Sequence, residues 1–257
     1  VKLEHNFYTG IEWSPTLRAA WTPDERTTWW TAISRAVRTP VRLDRGLYAR
    51  IDDVSLFEPA KDFGSEYVIA YEVGWRRRAS HELAVDVSIF YNDYDQIRSN
   101  EPVGAAPFPL TFRNSLNARS AGGEITLIYQ PTASVLLKGS YRYLDLKFGR
   151  GPDSGDISNA ESEGNDPKHL VSLQAHLDLP MKFEIDGFFR HVSALPHPHT
   201  DDYSTVDLRV GWRPNDRFEA SLTGSNLLEE THRELITTNS LNDWIPRSLT
   251  LKLTWRY

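Results

Sequence analysis

Two histidines one residue apart, His197 and His199, are the first side chains of this chain whose spacing suggests chemistry. Imidazole nitrogens at alternate positions can bind a transition metal or haem iron. No third ligand lies close to them in the sequence, and such pairs are more often ordinary loop histidines. We therefore expect no resident metal or cofactor. We keep His197 and His199 as candidate contacts of a ligand that the protein binds.

Positively charged side chains mark a second candidate site in the irregular stretch 39–65. Arg42 and Arg45 could attract an anionic ligand there, with Tyr48 beside them, because guanidinium groups pair well with carboxylates and phosphates. The alternative is a set of solvated loop charges. Trp244, in the last long connection, completes the predicted ligand-binding set.

Calcium binding and catalysis are weaker interpretations. Clustered acids in the stretch 149–167 could bind Ca²⁺, but their spacing fits no EF-hand, so we prefer a solvated loop. These acids are Asp153, Asp156, Glu161, Glu163 and Asp166. Ser172 and His176 would lie about 13 Å apart along one strand, too far for a catalytic contact. Without cysteine, HExxH, Gly-x-Ser-x-Gly or a phosphate loop, the chain is predicted not to be an enzyme.

The elements that would position these residues are long strands, and the last one shows the pattern best. Over Arg247 to Tyr257, leucine and aromatic residues alternate with serine, threonine, lysine and arginine. Period 2 gives one apolar and one wet face. A strand this apolar would aggregate at the edge of a soluble sheet, whereas in a membrane barrel it faces lipid.

The connections between predicted strands alternate between short and long. Short turns are predicted at 22–26, 77–81, 130–132, 180–181 and 214–216, and long connections at 39–65, 98–110, 149–167, 194–202 and 231–244. This alternation is typical of an up-and-down transmembrane β-barrel, with short periplasmic turns and long extracellular loops. We therefore predict an all-β antiparallel barrel domain over 1–257, with about 11 or 12 strands.

Two sets of side chains follow from this arrangement. Aromatic residues near the short turns are predicted to form a membrane girdle at headgroup level: Trp21, Trp75, Tyr129, Trp212, Trp255 and Tyr257. Charged residues of both signs on the opposite face are predicted to line the lumen: Glu72, Arg76, Asp86, Lys138, Arg142, Arg190 and Arg209.

Bulk composition narrows the function further. The net charge of −6 argues against a general nucleic-acid binder. No apolar run reaches the length of about 18 residues that a transmembrane helix needs. The mean hydropathy of −0.48 is compatible with a barrel, since only alternate residues face lipid.

Several segments, in the right order, resemble the C-terminal part of the barrel of TonB-dependent outer-membrane receptors. Residues 30–40 are similar to the family's S-R-A-x-R-x-P segment, residues 65–76 to its S-E-x-x-x-x-Y-E-x-G-Y-R strand, and residues 90–97 to its F-Y-x-D-Y-x-D-x-I strand. Residues 14–23 and 226–229 match weaker motifs. Haem is not favoured, because the segment after Pro40 lacks the N-P-x-L of the haem receptors.

This resemblance implies a function and a set of partners. The family imports scarce nutrients, mostly ferric chelates, across the Gram-negative outer membrane with energy supplied by TonB. Its members have an N-terminal plug and roughly 22 strands, so the chain is expected to be a C-terminal fragment with two unpaired edges. The implied partners are the bilayer, the ligand, TonB through the missing N-terminal region, and the barrel-assembly machinery through the last strand.

Two other functions are compatible with the residues. A complete barrel of about 12 strands would act as a passive pore, and a soluble all-β module would bind a ligand without a membrane. The soluble module would bury Leu249, Leu251 and Leu253 in a packed interior, and the pore would close its sheet. The structure can therefore separate the three.

Overall fold

The computed structural model describes residues 1–105, 107–158, 160, 164–236 and 244–257. Long antiparallel strands dominate these residues. The elements are β1 (Lys2–Asn6), β2 (Gly10–Ser14), β3 (Thr16–Asp24), β4 (Thr27–Arg38), α1 (Arg42–Gly46), β5 (Ala49–Ile51), β6 (Val54–Phe57), β7 (Glu66–Arg78), β8 (Leu83–Pro102), β9 (Leu110–Thr132), β10 (Val135–Arg150), β11 (His169–Leu179), a 3₁₀ turn (Pro180–Lys182), β12 (Phe183–Val192), β13 (Tyr203–Asn215), β14 (Phe218–Ser225), β15 (Thr231–His232), β16 (Ile245–Pro246) and β17 (Ser248–Trp255).

Eleven of these strands form one continuous path in the main sheet. Their order is β17-β14-β13-β12-β11-β10-β9-β8-β7-β4-β3, so nearly every strand pairs with its neighbours in sequence. Within the described residues β3 pairs with β4 alone and β17 with β14 alone. The sheet is therefore open, which confirms the all-β antiparallel prediction and its two free edges and removes the interpretation as a closed small pore.

The register places apolar side chains in rows across one face of the sheet. One row runs Leu251–Leu222–Val210–Ile185–Leu177 over five adjacent strands. Leu249, Leu251 and Leu253 are 72%, 66% and 63% exposed. A soluble module would have buried them, so that interpretation is wrong. We call the face with Leu251 the outer face and the opposite face the inner face.

Tight turns lie at one rim of the sheet, as predicted, but their positions shift by one to three residues. The prediction placed turns at the prolines Pro23, Pro131 and Pro214. In the structure each proline belongs to a strand, at or beside an irregularity in the register immediately before the turn. A bulge leaves one residue without a ladder bond, and this is where a strand tolerates a residue that cannot donate an N–H.

The opposite rim carries the long connections, which have more structure than predicted. The stretch 39–65 contains α1, β5 and β6, and β6 touches β9 through the pair Phe57–Leu110. A small core of Ile97, Leu116, Ala118 and Ala160 ties the stretch after β10 to β8 and β9. None of the helices in the described part of the chain is long and apolar enough to cross a bilayer.

Two glycines let aromatic rings lie flat on the inner face. A Cβ at Gly74 would overlap the indole of Trp30, and a Cβ at Gly122 would come within 2.6 Å of the Phe90 ring. Small residues at these points allow the close approach of ring and backbone. The inner face thus mixes flat rings with the charged side chains described next.

Candidate functional site

Ion pairs cover the inner face where it is formed by the C-terminal strands. Arg209 on β13 lies opposite Asp186 on β12, and Nη1 of Arg209 donates to Oδ2 of Asp186 at 2.7 Å. His176 on β11 bonds the other oxygen of Asp186 at 2.6 Å. The guanidinium of Arg209 also reaches Glu184 at 3.2 Å and Glu219 at 3.4 Å. These five residues form a charge network across four strands, which we call the inner-wall network.

The register also places the other predicted lumen residues on the inner face. Arg76 Nε donates to Asp86 Oδ2 at 2.6 Å between directly opposed residues. Glu72, Lys138 and Arg142 share this face. Within the described residues Nε of Arg142 is buried without a hydrogen-bond partner.

A buried carboxylate anchors the stretch 39–65 to the sheet. Asp44 on α1 is 1% exposed. Its oxygens accept bonds from Arg38 at 3.1 Å, from Arg98 at 3.3 Å and from the backbone N–H of Val41 at 3.0 Å. Arg38 also pairs with Glu66 at 3.0 Å. These groups form the Asp44 anchor, and they fix α1 against β4, β7 and β8.

The predicted ligand residues in this stretch are placed differently from one another. Arg45 lies 5.1 Å from the ring of Tyr8 and its Nη1 is 3.5 Å from the Tyr8 carbonyl, so it is packed against β1 and β2. Arg42 is exposed and, within the described residues, makes no side-chain hydrogen bond or ion pair. Tyr48 is 58% exposed. Arg42 and Arg45, which were predicted to act as a pair, therefore have different surroundings: Arg45 is packed against Tyr8 and Arg42 is exposed to solvent.

A second cluster lies where the last long connection folds over the inner face. Arg190 on β12 pairs with Glu234 and lies 5.3 Å from the Tyr203 ring. His232, 4% exposed, stacks on Tyr203 with ring centroids 4.7 Å apart. Burial raises the pKa of Glu234, but bonds from Arg190, His232 and Tyr203 and the charge of Arg190 outweigh it, so this pKa lies below its ordinary value. We call these four residues the mouth cluster.

The remaining candidates lie on neighbouring loops. The backbone N–H of His197 donates to Asn165 at 2.9 Å, and His199 lies 3.2 Å from Asp201. The indole of Trp244 lies under Arg233, at 3.8 Å. His197 and His199 line one cavity together, but Arg42, Tyr48 and Trp244 do not line it, so the structure does not unite the whole predicted set in one pocket.

The acidic stretch 149–167 uses its central carboxylate internally. Asp156 is buried and accepts bonds from the backbone N–H groups of Asn100, at 2.7 Å, and Ala160, at 3.0 Å. Glu161 and Glu163 lie outside the described residues. Among the residues that the structure describes, no group of three or more His, Cys, Asp or Glu side chains could hold a metal ion.

Aromatic side chains on the outer face follow the rim of short turns. Trp21, Trp29 and Trp75 are register neighbours on β3, β4 and β7, and the rings of Trp29 and Trp75 are 6.1 Å apart. Near the other edge, rings 5.8 to 6.2 Å apart connect four strands: Phe183, Trp212, Phe218 and Trp255. At this level of the β11–β12 hairpin, β11 has Leu179 instead of an aromatic residue, and Phe183, its register partner on β12, supplies the ring. Tyr129 and Tyr257 are also exposed.

The chain thus forms an open antiparallel sheet. This sheet has an apolar outer face, a charged inner face and connections of two lengths. The model of the family described as TonB dependent receptor-like, beta-barrel matches residues 5–227. The chain belongs to this family. Its members are transport receptors of the Gram-negative outer membrane, which confirms the predicted location and that the chain is not an enzyme.

Solved structures show the same fold. The chain is similar to a mutant of the ferric enterobactin receptor PfeA from Pseudomonas aeruginosa, with TM-score 0.76, 17% identity, and 98% of this chain and 41% of that chain covered. For the FrpB iron transporter of Neisseria meningitidis the values are 0.73, 15%, 96% and 41%. For the ferric-catecholate import receptor Fiu of E. coli they are 0.73, 16%, 96% and 35%. No curated protein sequence matches significantly.

At these identities the likeness shows the fold, and the chain spans about two-fifths of the length of the first two structures.

The Asp44 anchor and the mouth cluster were not predicted from the sequence. Asp44 follows Arg38 by six residues in an irregular stretch, and Glu234 follows Arg190 by 44 residues. Neither spacing has a periodic signature.

Proposed function

We propose that the protein is a receptor that binds a ferric chelate of the siderophore type, or a similarly scarce nutrient, and imports it with energy supplied through TonB. The proposal is carried by one observation: a single family-type sheet has an apolar outer face and an ion-paired inner face, with folded long loops at one rim. The printed names of similar structures, an iron transporter and two ferric-chelate receptors, support this ligand class.

Ligand contact is proposed for the long-loop rim. Arg42 is the better candidate of its pair, because its guanidinium is exposed and has no partner in the described part of the chain. Arg45 is proposed to position the loop through Tyr8. Tyr48, His197, His199 and Trp244 are further proposed contacts on the same rim.

The other predicted residues take structural roles in this proposal. The paired charges of the inner face line a wet lumen, where cross-strand salt bridges stabilise adjacent strands. The outer-face aromatics, from Trp21 to Tyr257, lie at the level of the lipid headgroups.

Closure of the barrel requires more strands than this sheet contains. The path has eleven strands with alternating direction, so β3 and β17 run the same way. A remainder that closes the sheet by antiparallel pairing must then contribute an odd number of strands. We propose that the rest of the receptor supplies these strands together with a plug and the TonB contact. We also propose that β17 is recognised by the barrel-assembly machinery.

Uptake measurements test this function. The full receptor is expressed in a strain that lacks it, and iron-55 is supplied as anionic, neutral or cationic chelates. We expect saturable uptake of at least one chelate that disappears without TonB. Uptake that persists without TonB and does not saturate would support a passive pore and contradict the proposal.

Arg42→Ala tests the ligand contact separately. It should lower uptake of an anionic chelate several-fold, while Arg50→Ala, which removes an exposed arginine paired with Asp53, should not. Equal uptake by both variants would remove Arg42 from the ligand site without affecting the transport proposal.

A further inference from the structure

Five cations at the short-turn rim make no side-chain hydrogen bond or ion pair within the described residues, whereas Arg213 and Arg256 at the same rim pair with Glu219. Arg26 lies in the turn between β3 and β4, Arg77 and Arg78 end β7, and Lys182 and Arg217 lie in two later turns. All five are exposed. Within the described residues none of their side chains forms a hydrogen bond or an ion pair. They are therefore available to an external group.

Cations on strands near the long-loop rim are engaged. Arg35 lies 4.3 Å from the Tyr67 ring and donates to the Trp13 carbonyl at 2.6 Å. Arg119 is 3.6 Å from Asp93, and Lys147 is 2.8 Å from Asp145. Lys61 and Arg247 on the long-loop side are exposed and unpaired within the described residues as well. What distinguishes the short-turn cations is therefore their place next to the outer-face aromatic residues.

The charge balance at the short-turn rim is positive although the chain has a net charge of −6. Segments 24–27, 77–83, 130–135, 179–183, 213–218 and 256–257 contain seven Arg or Lys and four Asp or Glu. Two of the acids are occupied within their own turns: Asp24 accepts from the N–H of Arg26 at 2.8 Å, and Glu82 from Ser80 Oγ at 2.7 Å. An anionic partner therefore fits this rim.

The free cations adjoin the outer-face tryptophans. Arg77 follows Trp75 by two residues on the same face, a rise of about 7 Å. The N–H of Arg78 donates to the carbonyl of Arg26 at 2.8 Å, which joins the two turns under the row Trp21, Trp29 and Trp75. Arg77 thus shares the face of the row of indole rings, and Arg26 lies in the turn at the end of that row, whereas Arg78 alternates to the inner face.

We infer that this corner binds the phosphate groups of anionic phospholipid in the leaflet at the short turns. Indole rings lie at the headgroup level, and guanidinium groups bind phosphate with paired N–H donors. Lys182 and Arg217, which directly precede the outer-face residues Phe183 and Phe218, form a second, smaller corner of the same kind. The binding holds both edges of the sheet at a fixed depth.

The test compares two variants with equal change in charge. The full receptor, in nonionic detergent, is titrated with phosphatidylglycerol, and bound lipid is counted by native mass spectrometry. Removing a cation should weaken binding about fivefold, and Arg26→Gln/Arg77→Gln about twenty-fivefold. The control Lys61→Gln/Arg247→Gln removes two exposed cations on the long-loop side that are unpaired within the described residues, and it should bind as the wild type does.

Further arms separate this inference from its rivals. Heat-modified migration on a gel verifies folding of each variant, and Arg77→Lys should retain most of the affinity because it keeps the charge. Unchanged binding by the folded Arg26→Gln/Arg77→Gln variant, or equal retention of phosphatidylcholine, would overturn the inference. Competition by millimolar inorganic phosphate would also overturn it, because it would indicate a site for free phosphate. Loss of a bound periplasmic protein, with lipid binding unchanged, would overturn it as well.

Discussion

The Asp44 anchor and the mouth cluster both fasten a long loop to the sheet, but they differ in completeness. Asp44 is 1% exposed and bonded by two guanidinium groups and a backbone N–H. In the mouth cluster neither ring nitrogen of buried His232 has a well-formed hydrogen bond within the described residues, and Nε2 approaches Glu234 only to 3.5 Å. At this distance a hydrogen bond is poor. The anchor is a fixed structural joint, whereas the mouth cluster has capacity for new partners.

Breaking the anchor should have the largest effect. Asp44→Ala leaves Arg38 and Arg98 without their shared acceptor. Because these two side chains are 46% and 25% exposed and Arg38 keeps Glu66, the cost is about 1.5–3 kcal/mol. Hydrogen exchange of residues 41–47 should accelerate strongly. Asp53→Ala, at a fully exposed position, is the control. Unchanged exchange in the Asp44 variant would show that α1 is held by other contacts.

Acidification should open the mouth cluster. The pKa of Glu234 lies below its ordinary 4.5, so its contribution to stability is complete above that pH and disappears as the pH falls through the lowered value. Hydrogen exchange of residues 231–236 should therefore rise below about pH 4.5. Glu234→Gln should show faster exchange already at neutral pH and lose this acid step. A similar acid step in the variant would assign it to another group.

The smallest effect is expected from His232→Phe. Phenylalanine can keep the stacking on Tyr203 without two unbonded nitrogens, and removing an unsatisfied buried polar group gains up to about 1 kcal/mol. Exchange in residues 231–236 should stay equal or slow slightly. Faster exchange would mean that the imidazole makes a polar contact. Unchanged exchange with reduced uptake would show that His232 contacts the ligand.

Most of the sheet follows from its sequence because its signals are local. Alternation in the segment from Leu249 to Tyr257 assigns its faces, and the strands flanking each short turn pair with each other. The prolines were misplaced because a proline signals a turn equally well from inside a bulge as from the turn itself. Register irregularities depend on the facing strand, which a local pattern does not contain.

The candidate site was less predictable. Arg42 and Arg45 are equivalent as sequence, yet only Arg45 meets Tyr8, a residue 37 positions away that β1 and β2 bring to the same rim. Arg76 and Asp86 were placed on one face correctly, since both lie at alternate positions of paired strands. Their 2.6 Å contact required the exact register.

The sequence by itself determined that the strands have one face for lipid and one for water, because side chains alternate with a period of two in any strand. It also determined which rim has the short turns. Only the tertiary structure decided which loop charges are free and which are buried, since those pairs join residues from distant strands. It also decided that the described sheet stays open, because closure depends on the direction of its two edge strands.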